Sequence, residues 1–485
     1  MKFLSKLAVI LSIFGLSLAL AQTAPEPVSG GTVNIAITAE PPGWDPTAST
    51  SQEIARVTYH NIFEGLVRFS ENGTIVPALA ESWDVSEDGL TWTFTIRQGV
   101  KFHDGSDLQL SDIVAKFERA KDPDSGHTHS KYYKAIESIT AGDNNTVVFK
   151  LSEPSSSLLY NLARPDSIIY PASKQESQAS HPIGTGPFMF DEYIEGVPYL
   201  DAVNYKIMPD PDTRFSALQS GDIDLIGTSL PPEQYMQVGS MAGLKGTSGS
   251  ATTEITVGMN ESKAPFNNKL VRKAIQYAID KQAIVDGAMF GLGTVIGTHM
   301  SPSEPYYIDL SQQYPYNPEK AKELLAEAGY PDGFSMKFEL PEPYNIERRS
   351  GQVVAQQLAE VGIKVDLSVV DWGTWIERIY LGHDYDMTII GHSEPKDIGV
   401  YGNPDYYFQY KNPAVTKLLE AVEYELDPDN QIAIYQAVAK IIANDAVNVW
   451  LFSPPYLVAA RDDVYGFWQN QPTPSIDATG IYRAQ

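Results

Sequence analysis

Helical and strand-like segments alternate along residues 260–444, and this alternation is the feature that most limits what the chain can fold into. An apolar stripe at helical spacing covers residues 270–279. A helix is predicted over residues 348–361, and the strand-like residues 364–370 (KVDLSVV) follow it. Helices and strands that alternate in this way predict an open α/β sheet.

A chain of 485 residues is longer than one hydrophobic core usually supports, so two or three domains are expected. Strand-like sequence returns at residues 447–461, after the alternating region. A chain that leaves one domain near Asn260 and re-enters it near Phe452 would connect the two domains through a two-stranded hinge.

Residues 1–21 have the pattern of a cleavable export signal. Lys2 and Lys6 form a short basic region, residues 7–18 are mostly apolar, and residues 19–21 (ALA) match a small-residue cleavage site. The alternative is a membrane anchor. It is disfavoured because spanning a bilayer needs about 20 apolar residues, and this run is shorter and contains serine and glycine. We therefore expect a periplasmic protein with no stable membrane anchor.

The lack of cysteine and the acidic charge exclude several kinds of chemistry. Without cysteine the chain cannot form disulfides, thiolate metal sites, a cysteine nucleophile or a lipid anchor at an N-terminal cysteine. The formal net charge is -26, and so acidic a chain is repelled by nucleic acid and anionic lipid. Acidity does not identify a ligand. We expect a monomer that carries no cofactor.

Residues 80–114 (AESWDVSEDGLTWTFTIRQGVKFHDGSDLQLSDIV) contain the signals of a hairpin, a turn and a helix. Large apolar residues alternate with threonines over residues 91–96, which is the period-2 pattern of a half-buried strand. The Asp-Gly pair before that strand is a hairpin signal. After a second Asp-Gly turn, Ser111 or Asp112 would cap a helix over residues 113–119.

The amino-acid sequence of this run closely resembles a stretch of the family 5 solute-binding proteins of bacterial ABC importers, the peptide- and nickel-binding group. Four further segments resemble the family in the same order. They are residues 183–188 (IGTGPF), 198–201 (PYLD), 217–224 (ALQSGDID), and 266–274 (FNNKLVRKA) with 278–280 (AID). One such segment would carry little weight, whereas five in the family's order favour membership.

The resemblance implies an α/β periplasmic-binding-protein fold with two lobes, an extra small α+β domain and a ligand enclosed between the lobes. The implied boundaries are a signal peptide over 1–21, lobe I over 22–64, 173–258 and 451–485, an accessory domain over 65–172, and lobe II over 259–450. The run 80–114 would then lie in the accessory domain, away from most ligand contacts. Permease subunits of an ABC importer are the expected partners.

The resemblance also implies ligand-binding residues in both lobes. The loop after the first strand lies at the cleft in this family, and here it contains Glu40 and Trp44, whose indole would offer a stacking face. In dipeptide binders of the family, an arginine in an Arg-Pro-Tyr-Asn stretch meets the ligand carboxylate. The matching residues here are 342–345 (EPYN). Glu342 therefore occupies the position of the family's arginine, and Tyr344 lies two residues after it.

A second stretch of lobe II is expected to meet the other end of the ligand. In the family's peptide binders, an acidic residue after a Gly-Trp pair holds the peptide ammonium through a charge-assisted hydrogen bond. The matching segment reads GHSEPKD. In this segment His392 occupies the position of the family's tryptophan, and Glu394 or Asp397 occupies the position of the acidic residue. Tyr401 is a further candidate for the cleft.

A carboxylate at Glu342 would repel a ligand carboxylate, by roughly several kcal/mol at the dielectric of a cleft. A zwitterionic dipeptide is therefore disfavoured, unless the alignment slips and Glu342 lies on the surface. A longer peptide or peptide-like compound is the main expectation. The same fold binding an oligosaccharide, a cationic small molecule or a metal chelate is the first alternative, and a secreted hydrolase is the alternative from another class.

Other motifs do not favour catalysis. The sequence has no H-E-x-x-H spacing and no Gly-x-Ser-x-Gly nucleophile context, so we expect a binding protein and not an enzyme. His127 and His129 could ligate a metal, but a solvated surface loop is the favoured interpretation. The glycines of residues 184–187 (GTGP) could offer amides to a ligand, and a structural turn is favoured there.

Overall fold

The computed structural model describes residues 25–190, 192–193, 199–342, 344–393 and 396–484. The strands are β1 (Thr32–Ile37), β2 (Val67–Phe69), β3 (Ile75–Pro77), β4 (Ala80–Val85), β5 (Thr91–Ile96), β6 (Ile136–Gly142), β7 (Thr146–Leu151), β8 (Phe188–Met189), β9 (Glu192–Tyr193), β10 (Ala202–Ile207), β11 (Leu225–Ile226), β12 (Leu244–Gly249), β13 (Glu254–Met259), β14 (Thr294–Val295), β15 (Ser335–Pro341), β16 (Lys364–Val370), β17 (Met387–His392), β18 (Val449–Ser453), β19 (Tyr456–Arg461), β20 (Val464–Tyr465) and β21 (Tyr482–Arg483). The helices are α1 (Gln52–Thr58), α2 (Leu110–Lys121), α3 (Leu158–Leu162), α4 (Pro211–Ser220), α5 (Pro232–Val238), α6 (Lys269–Ala278), α7 (Lys281–Met289), α8 (Pro318–Glu327), α9 (Asn345–Glu360), α10 (Trp372–Thr374), α11 (Pro413–Val422) and α12 (Pro428–Asp445).

The predicted export signal lies outside the described residues. Among the helices that are described, none is both long and apolar enough to cross a membrane.

Lobe I is built on a five-stranded sheet in the order β10-β1-β11-β19-β12. β1 pairs in parallel with β10 and β11, whereas β19 runs antiparallel to β11 and β12. Alternate residues of β1, Val33 and Ile35, pack in a core with Leu225 and Val458. Helix α4 ends at Gly221, whose φ of +84° is the left-handed conformation that the Gly-Asp pair predicts at a helix end.

Lobe II contains a six-stranded mixed sheet in the order β14-β18-β13-β17-β15-β16. The predicted apolar stripe is confirmed in α6, where Val271, Ala274, Ile275 and Ala278 are fully buried. The side chain of Asn268 caps this helix by accepting from the Leu270 N–H. Strand β16 begins and ends where the sequence pattern predicted, and it forms the edge of the sheet.

The accessory domain is a four-stranded antiparallel sheet, β4-β5-β7-β6, covered by α2. Trp92, Phe94 and Ile96 of β5 are buried and alternate with half-buried threonines, as predicted. The predicted cap of the following helix is wrong. Gln109 is the N-cap, and Asp112 lies three residues later, where its carboxylate accepts from the Gln109 N–H to complete a capping box.

The chain crosses between the two lobe sheets twice. Residues 250–253 lead from β12 into β13, and residues 454–455 lead from β18 back into β19. The crossings lie side by side, since Ser453 Oγ donates to the Thr253 carbonyl at 2.8 Å. Two short connections between two packed sheets form a hinge of the kind used in domain closure. The two-lobed α/β fold with a small α+β domain is therefore confirmed, and the exact domain boundaries stay predictions.

Candidate ligand-binding cleft

A cleft lies where lobe I, the accessory domain and lobe II meet, and two cavities occupy it. The polar cavity has a volume of about 320 Å³ and is lined by α1 with its preceding loop, the accessory domain, the first crossing and residues 471–474. The apolar cavity has a volume of about 840 Å³ and lies mainly between the accessory domain and lobe II. The cavities adjoin, because the same five residues line both of them: Phe69, Tyr160, Thr252, Gln471 and Pro472.

Aromatic side chains from opposite sides form much of the apolar cavity. The accessory domain contributes Trp92, Phe69 and Tyr160, and the ring centroids of Phe69 and Tyr160 are 5.2 Å apart. Lobe II contributes Tyr306, whose ring packs against Tyr435 at 4.7 Å. Rings that face one another across a cleft suit the apolar parts of a ligand.

Cationic side chains dominate the charged lining of the polar cavity. Arg56 forms an ion pair with Glu53 at 3.2 Å on α1, and Arg164 pairs with Asp166 at 3.1 Å. Burial alone would raise the pKa of Asp166, but the hydrogen bond with His129 and the charge of Arg164 hold it well below its usual range. Asp166 is therefore ionised, and the cavity lining contains two guanidinium groups against this one carboxylate.

Lobe II places a carboxyl group and an ammonium group on the wall of the apolar cavity. Glu304 accepts from the Tyr306 hydroxyl at 2.5 Å, from the Lys396 N–H at 3.1 Å and from the Ser301 N–H at 2.9 Å. Burial raises the pKa of Glu304 to about 7, although these hydrogen bonds oppose the shift. The Lys396 ammonium lies 5.7 Å from the centre of the Tyr160 ring and 6.0 Å from that of Tyr435.

Just behind this wall, Asp397 is held by two histidines. Its Oδ2 lies 2.6 Å from His392 Nδ1 and 2.9 Å from His299 Nε2. Burial alone would raise the pKa of Asp397, but the charge of His392 and the hydrogen bonds from both imidazoles hold it far below its usual range. Glu254 Oε1 also lies 3.0 Å from His299 Nε2, and burial raises the pKa of Glu254 well above its usual value.

Tyr401 completes this network from the core of lobe II. Its hydroxyl lies 3.2 Å from His299 Nδ1 and accepts from Asn448 Nδ2 at 2.9 Å and from Trp450 Nε1 at 3.1 Å. The side chain is almost fully buried. Tyr401 therefore contacts the histidine cluster and not the lining of either cavity.

His299, His392 and Asp397 are of the right types to hold a metal ion, with candidate ligand atoms within 4.8 Å of one another. A ligating imidazole nitrogen must have its lone pair free. The indole N–H of Trp450, which can only donate, points at His299 Nδ1 at 3.2 Å, and this places the His299 proton on Nε2. That proton faces Asp397 and Glu254, so the residues form a hydrogen-bonded network that would accept a metal only after a change of tautomer.

The structure separates the predicted ligand-binding residues. His392, Asp397 and Tyr401 come together in the network described above, whereas Glu394 lies outside the described residues. Glu342 is exposed at the end of β15, and Tyr344 is 36% exposed and packs edge-on against Trp372.

In lobe I, Glu40 is exposed, and Trp44 packs against Phe190 in a separate cavity beside β10. Of the predicted residues that the structure describes, none lines either cavity of the cleft. Their role in binding stays a prediction.

The interpretation of the histidine loop as solvated surface is wrong for His127, which is 4% exposed. Its Nε2 lies 3.0 Å from the buried ammonium of Lys116, an arrangement that leaves no room for a metal ion. Burial and the neighbouring Lys116 lower the pKa of His127 to about 3, so it is neutral. His129 lines the polar cavity, where its ring stacks on Tyr132.

The glycine-rich turn at residues 184–187 is structural, as expected, but for a different reason. A Cβ at Gly184 would lie 2.0 Å from the Ile62 carbonyl oxygen, and one at Gly186 would lie 2.4 Å from that of Asn61. Close backbone approach, rather than an unusual φ angle, requires glycine here.

Sequence reasoning missed most of the residues that line the cleft. Trp92 belongs to the run assigned to the accessory domain, yet it lines the apolar cavity. Glu304 and Tyr306 lie in an irregular segment with no motif, and Arg56 and Arg164 are far apart in the chain. Lys396 lies inside the aligned stretch GHSEPKD and could have been noted there as a cation next to the expected acid.

The sequence profile of the bacterial extracellular solute-binding proteins, family 5, matches residues 74–417. The chain belongs to this family. Heme-binding protein A of Haemophilus influenzae is 32% identical over 442 residues, which are 80% of this chain and 78% of that protein. Glutathione-binding protein GsiB of Salmonella typhi is 28% identical over 460 residues, with 88% and 89% covered.

Solved structures agree with the family assignment. The ABC transporter-associated periplasmic binding protein DppA from Helicobacter pylori, in complex with the peptide STSA, superposes with a TM-score of 0.77 at 27% identity. The match covers 94% of this chain and 99% of DppA. The predicted family, the two-lobed fold and the role as a solute-binding protein of an ABC importer are thereby confirmed. In this family 5 solute-binding protein, the two adjoining cavities are the candidate ligand site.

Proposed function

We propose that this family 5 protein captures a short peptide or peptide-like compound in the cleft and delivers it to the permease subunits of an ABC importer. In this proposal the mature protein is a free periplasmic monomer that binds its ligand without turning it over. The lobes close on the ligand around the two crossings, which buries most of its surface.

The observation that carries the proposal is the apolar cavity between the accessory domain and lobe II. Its volume of about 840 Å³ lies within the range of small-ligand sites, and aromatic rings line it on both sides. Apolar side chains of a peptide can stack on these rings, while polar termini meet the charged lining. An oligosaccharide fits less well, because most of the accessible surface of this cavity is apolar and would leave many of its hydroxyl groups without hydrogen-bond partners.

Contacts of lobe II with the rest of the protein support closure around this cavity. Ser156 of the accessory domain donates its N–H to the Glu423 carbonyl and its hydroxyl to the Val422 carbonyl, both at 2.8 Å. Ser157 Oγ donates to the Glu423 carboxylate at 3.1 Å. The accessory domain therefore contacts lobe II directly beside the cavity, and opening the lobes would break these hydrogen bonds.

A metal chelate is the second candidate ligand. The relative from Haemophilus influenzae is named for haem, and the cleft combines a large apolar cavity with a polar one that contains His129 and two arginines. A flat apolar macrocycle with acidic substituents has the chemistry for such a site. The peptide remains the first candidate, because DppA was solved with a peptide and GsiB is named for glutathione, itself a tripeptide.

The test is isothermal titration calorimetry of the purified, ligand-stripped protein with tri- to pentapeptides, glutathione and haemin. Thr252 lines both cavities, so T252W should fill the cleft and abolish binding, whereas S240W, on an exposed turn of lobe I, should bind as the wild type does. Mass spectrometry should recover the ligand unchanged. Binding that survives T252W, binding of haemin alone, or hydrolysis of the peptide would contradict the proposal.

A further inference from the structure

Lys396 is a cation on the lobe II wall of the apolar cavity, within the segment in which an acidic residue was expected. Resting on the proposed function, we propose that Lys396 binds an anionic group of the ligand. The cleft then takes an acidic peptide-like compound, and its lobe II wall does not hold a ligand ammonium.

The surroundings of Lys396 leave its ammonium available. The ion pairs found among the described residues include none with Lys396, and the faces of Tyr160 and Tyr435 lie 5.7 and 6.0 Å from its ammonium. Burial lowers the pKa of Lys396, and the charges of Glu423 and Glu304 oppose that shift from beyond ion-pair distance. One ring belongs to the accessory domain and the other to lobe II, so the ammonium lies between the surfaces that enclose the cavity. Aromatic faces attract a cation while leaving its N–H groups unsatisfied, and a ligand carboxylate can accept from them.

The backbone holds this lysine firmly at the wall. Its N–H donates to Glu304 Oε1 at 3.1 Å, and its φ of +60° turns the chain at the start of the segment Asp397–Gly402. The side chain of the next residue is anchored in the buried histidine network. Hydrogen bonds hold both the backbone of Lys396 and the side chain of the residue that follows it, so the lysine has a fixed position at the cavity wall.

Asp397, the carboxylate that could hold an ammonium here, already has two partners. His392 and His299 both contact its Oδ2, and its side chain is only 14% exposed. Asp397 also lines neither cavity, so a ligand ammonium in the cleft would have to reach behind the cavity wall to meet it. Among the described residues of this stretch, the charge presented to the cavity is therefore that of Lys396.

The charges of Glu423 and Glu304 both act on the Lys396 ammonium, and Glu304, on the cavity wall, does not neutralise it fully. Glu304 is committed to the Tyr306 hydroxyl and to two backbone N–H groups. Burial raises its pKa to about 7, so near neutral pH a large fraction of the molecules have an uncharged Glu304. When Glu304 is neutral, Glu423 is the remaining carboxylate whose charge acts on Lys396. Within the described part of the chain, Glu423 forms no ion pair with Lys396 and accepts from Ser157 instead, so a ligand anion can pair with the ammonium.

The test compares one tripeptide, Ala-Leu-Ala, in two forms: N-acetylated with a free carboxylate, and amidated with a free amine. Calorimetry at pH 6.5 should show tighter binding of the acidic form by the wild type. K396M should weaken that form at least tenfold and leave the amidated form within about twofold, and K396R should retain the preference. K263M, which removes a lysine paired with Asp384 outside the cleft, should change neither affinity.

The results of these titrations distinguish failure of the anion subsite at Lys396 from failure of the proposed peptide-binding function. Equal affinity of wild type and K396M for the acidic form, with T252W still abolishing binding, overturns the anion subsite and leaves the proposed function intact. A wild-type preference for the amidated form also overturns the subsite. If the wild type binds neither form nor any other peptide, the proposed function fails and the subsite fails with it. If K396M and the wild type unfold at the same thermal midpoint, misfolding is excluded as the cause of a weaker affinity in K396M.

Discussion

Arg349 Nη2 of α9 lies 2.7 Å from Glu233 Oε1 of α5, and this ion pair joins lobe II to lobe I. The second guanidinium nitrogen, Nη1, lies 3.4 Å from the other carboxylate oxygen, so the contact is bidentate. On its other side, lobe II contacts the accessory domain through Ser156 and Glu423. The lobes are therefore held together at two separate places around the cleft.

R349A should shift the lobes towards an open arrangement and weaken ligand binding. The pair is partly exposed, and such pairs contribute about 0.2–1 kcal/mol, which corresponds to a loss of at most about fivefold in affinity. Small-angle scattering of the ligand-free variant should give a larger radius of gyration. In a double-mutant cycle with E233A the losses should not add, and full additivity would show that the two residues act independently.

Affinity for an acidic ligand should fall as the pH rises through about 7. Below that value Glu304 is protonated and adds no negative charge beside Lys396, whereas above it Glu304 ionises and adds negative charge beside the ligand. The other titratable groups around Glu304 and Lys396 are Tyr306, Asp397, Glu423 and Tyr435, together with the buried Glu254.

Calorimetry at pH 6 and pH 8.5 measures the effect. E304Q should bind the acidic ligand with nearly the same affinity at both values, because glutamine stays neutral. A wild-type affinity that increases over this range would mean that another group controls the titration.

D397N should destabilise the protein by about 3–5 kcal/mol at pH 7. The substitution removes the charge that His392 and His299 contact, so buried polar groups are left with poor partners. Asp397 has a depressed pKa in the folded state, so its stabilisation is present above the ordinary aspartate pKa and is lost as the pH falls through the folded value. Urea unfolding gives the free energy.

The matched control is D384N, since Asp384 is 72% exposed and pairs with Lys263 at the surface. Its effect should stay within about 0.5 kcal/mol. A D397N protein as stable as D384N would show that the histidine network contributes little.

W92F should reduce the ligand-dependent change in tryptophan fluorescence. Trp92 lines the apolar cavity near the start of β5, and phenylalanine keeps most of its packing. Trp83, on the neighbouring strand, is outside the cavity lining, so W83F serves as the control and should keep the ligand response of the wild type. An unchanged response in W92F would place the ligand elsewhere.

Local sequence patterns predicted the elements of the fold well, since each pattern depends on neighbours a few residues away. The stripe of α6 and the edge strand β16 lie where the 3.6- and 2-residue periods placed them. The resemblance supplied what periodicity could not, namely the two-lobed architecture with its accessory domain.

The lining of the cleft could not be predicted in the same way. Phe69, Tyr306 and Lys396 come from three parts of the chain, and only the tertiary fold brings them together. Asp397 was expected at the ligand because its own segment resembles the family. Its partner His299 lies 98 residues earlier, and no local pattern connects the two.

A crystal structure of the mature protein with the compound that co-purifies with it would locate the ligand. We expect a peptide-like ligand between Tyr160 and Tyr306, with an anionic group within hydrogen-bonding distance of Lys396. A ligand in the separate cavity beside Trp44, at the exposed Glu342, or bound with an ammonium at Asp397 would contradict it.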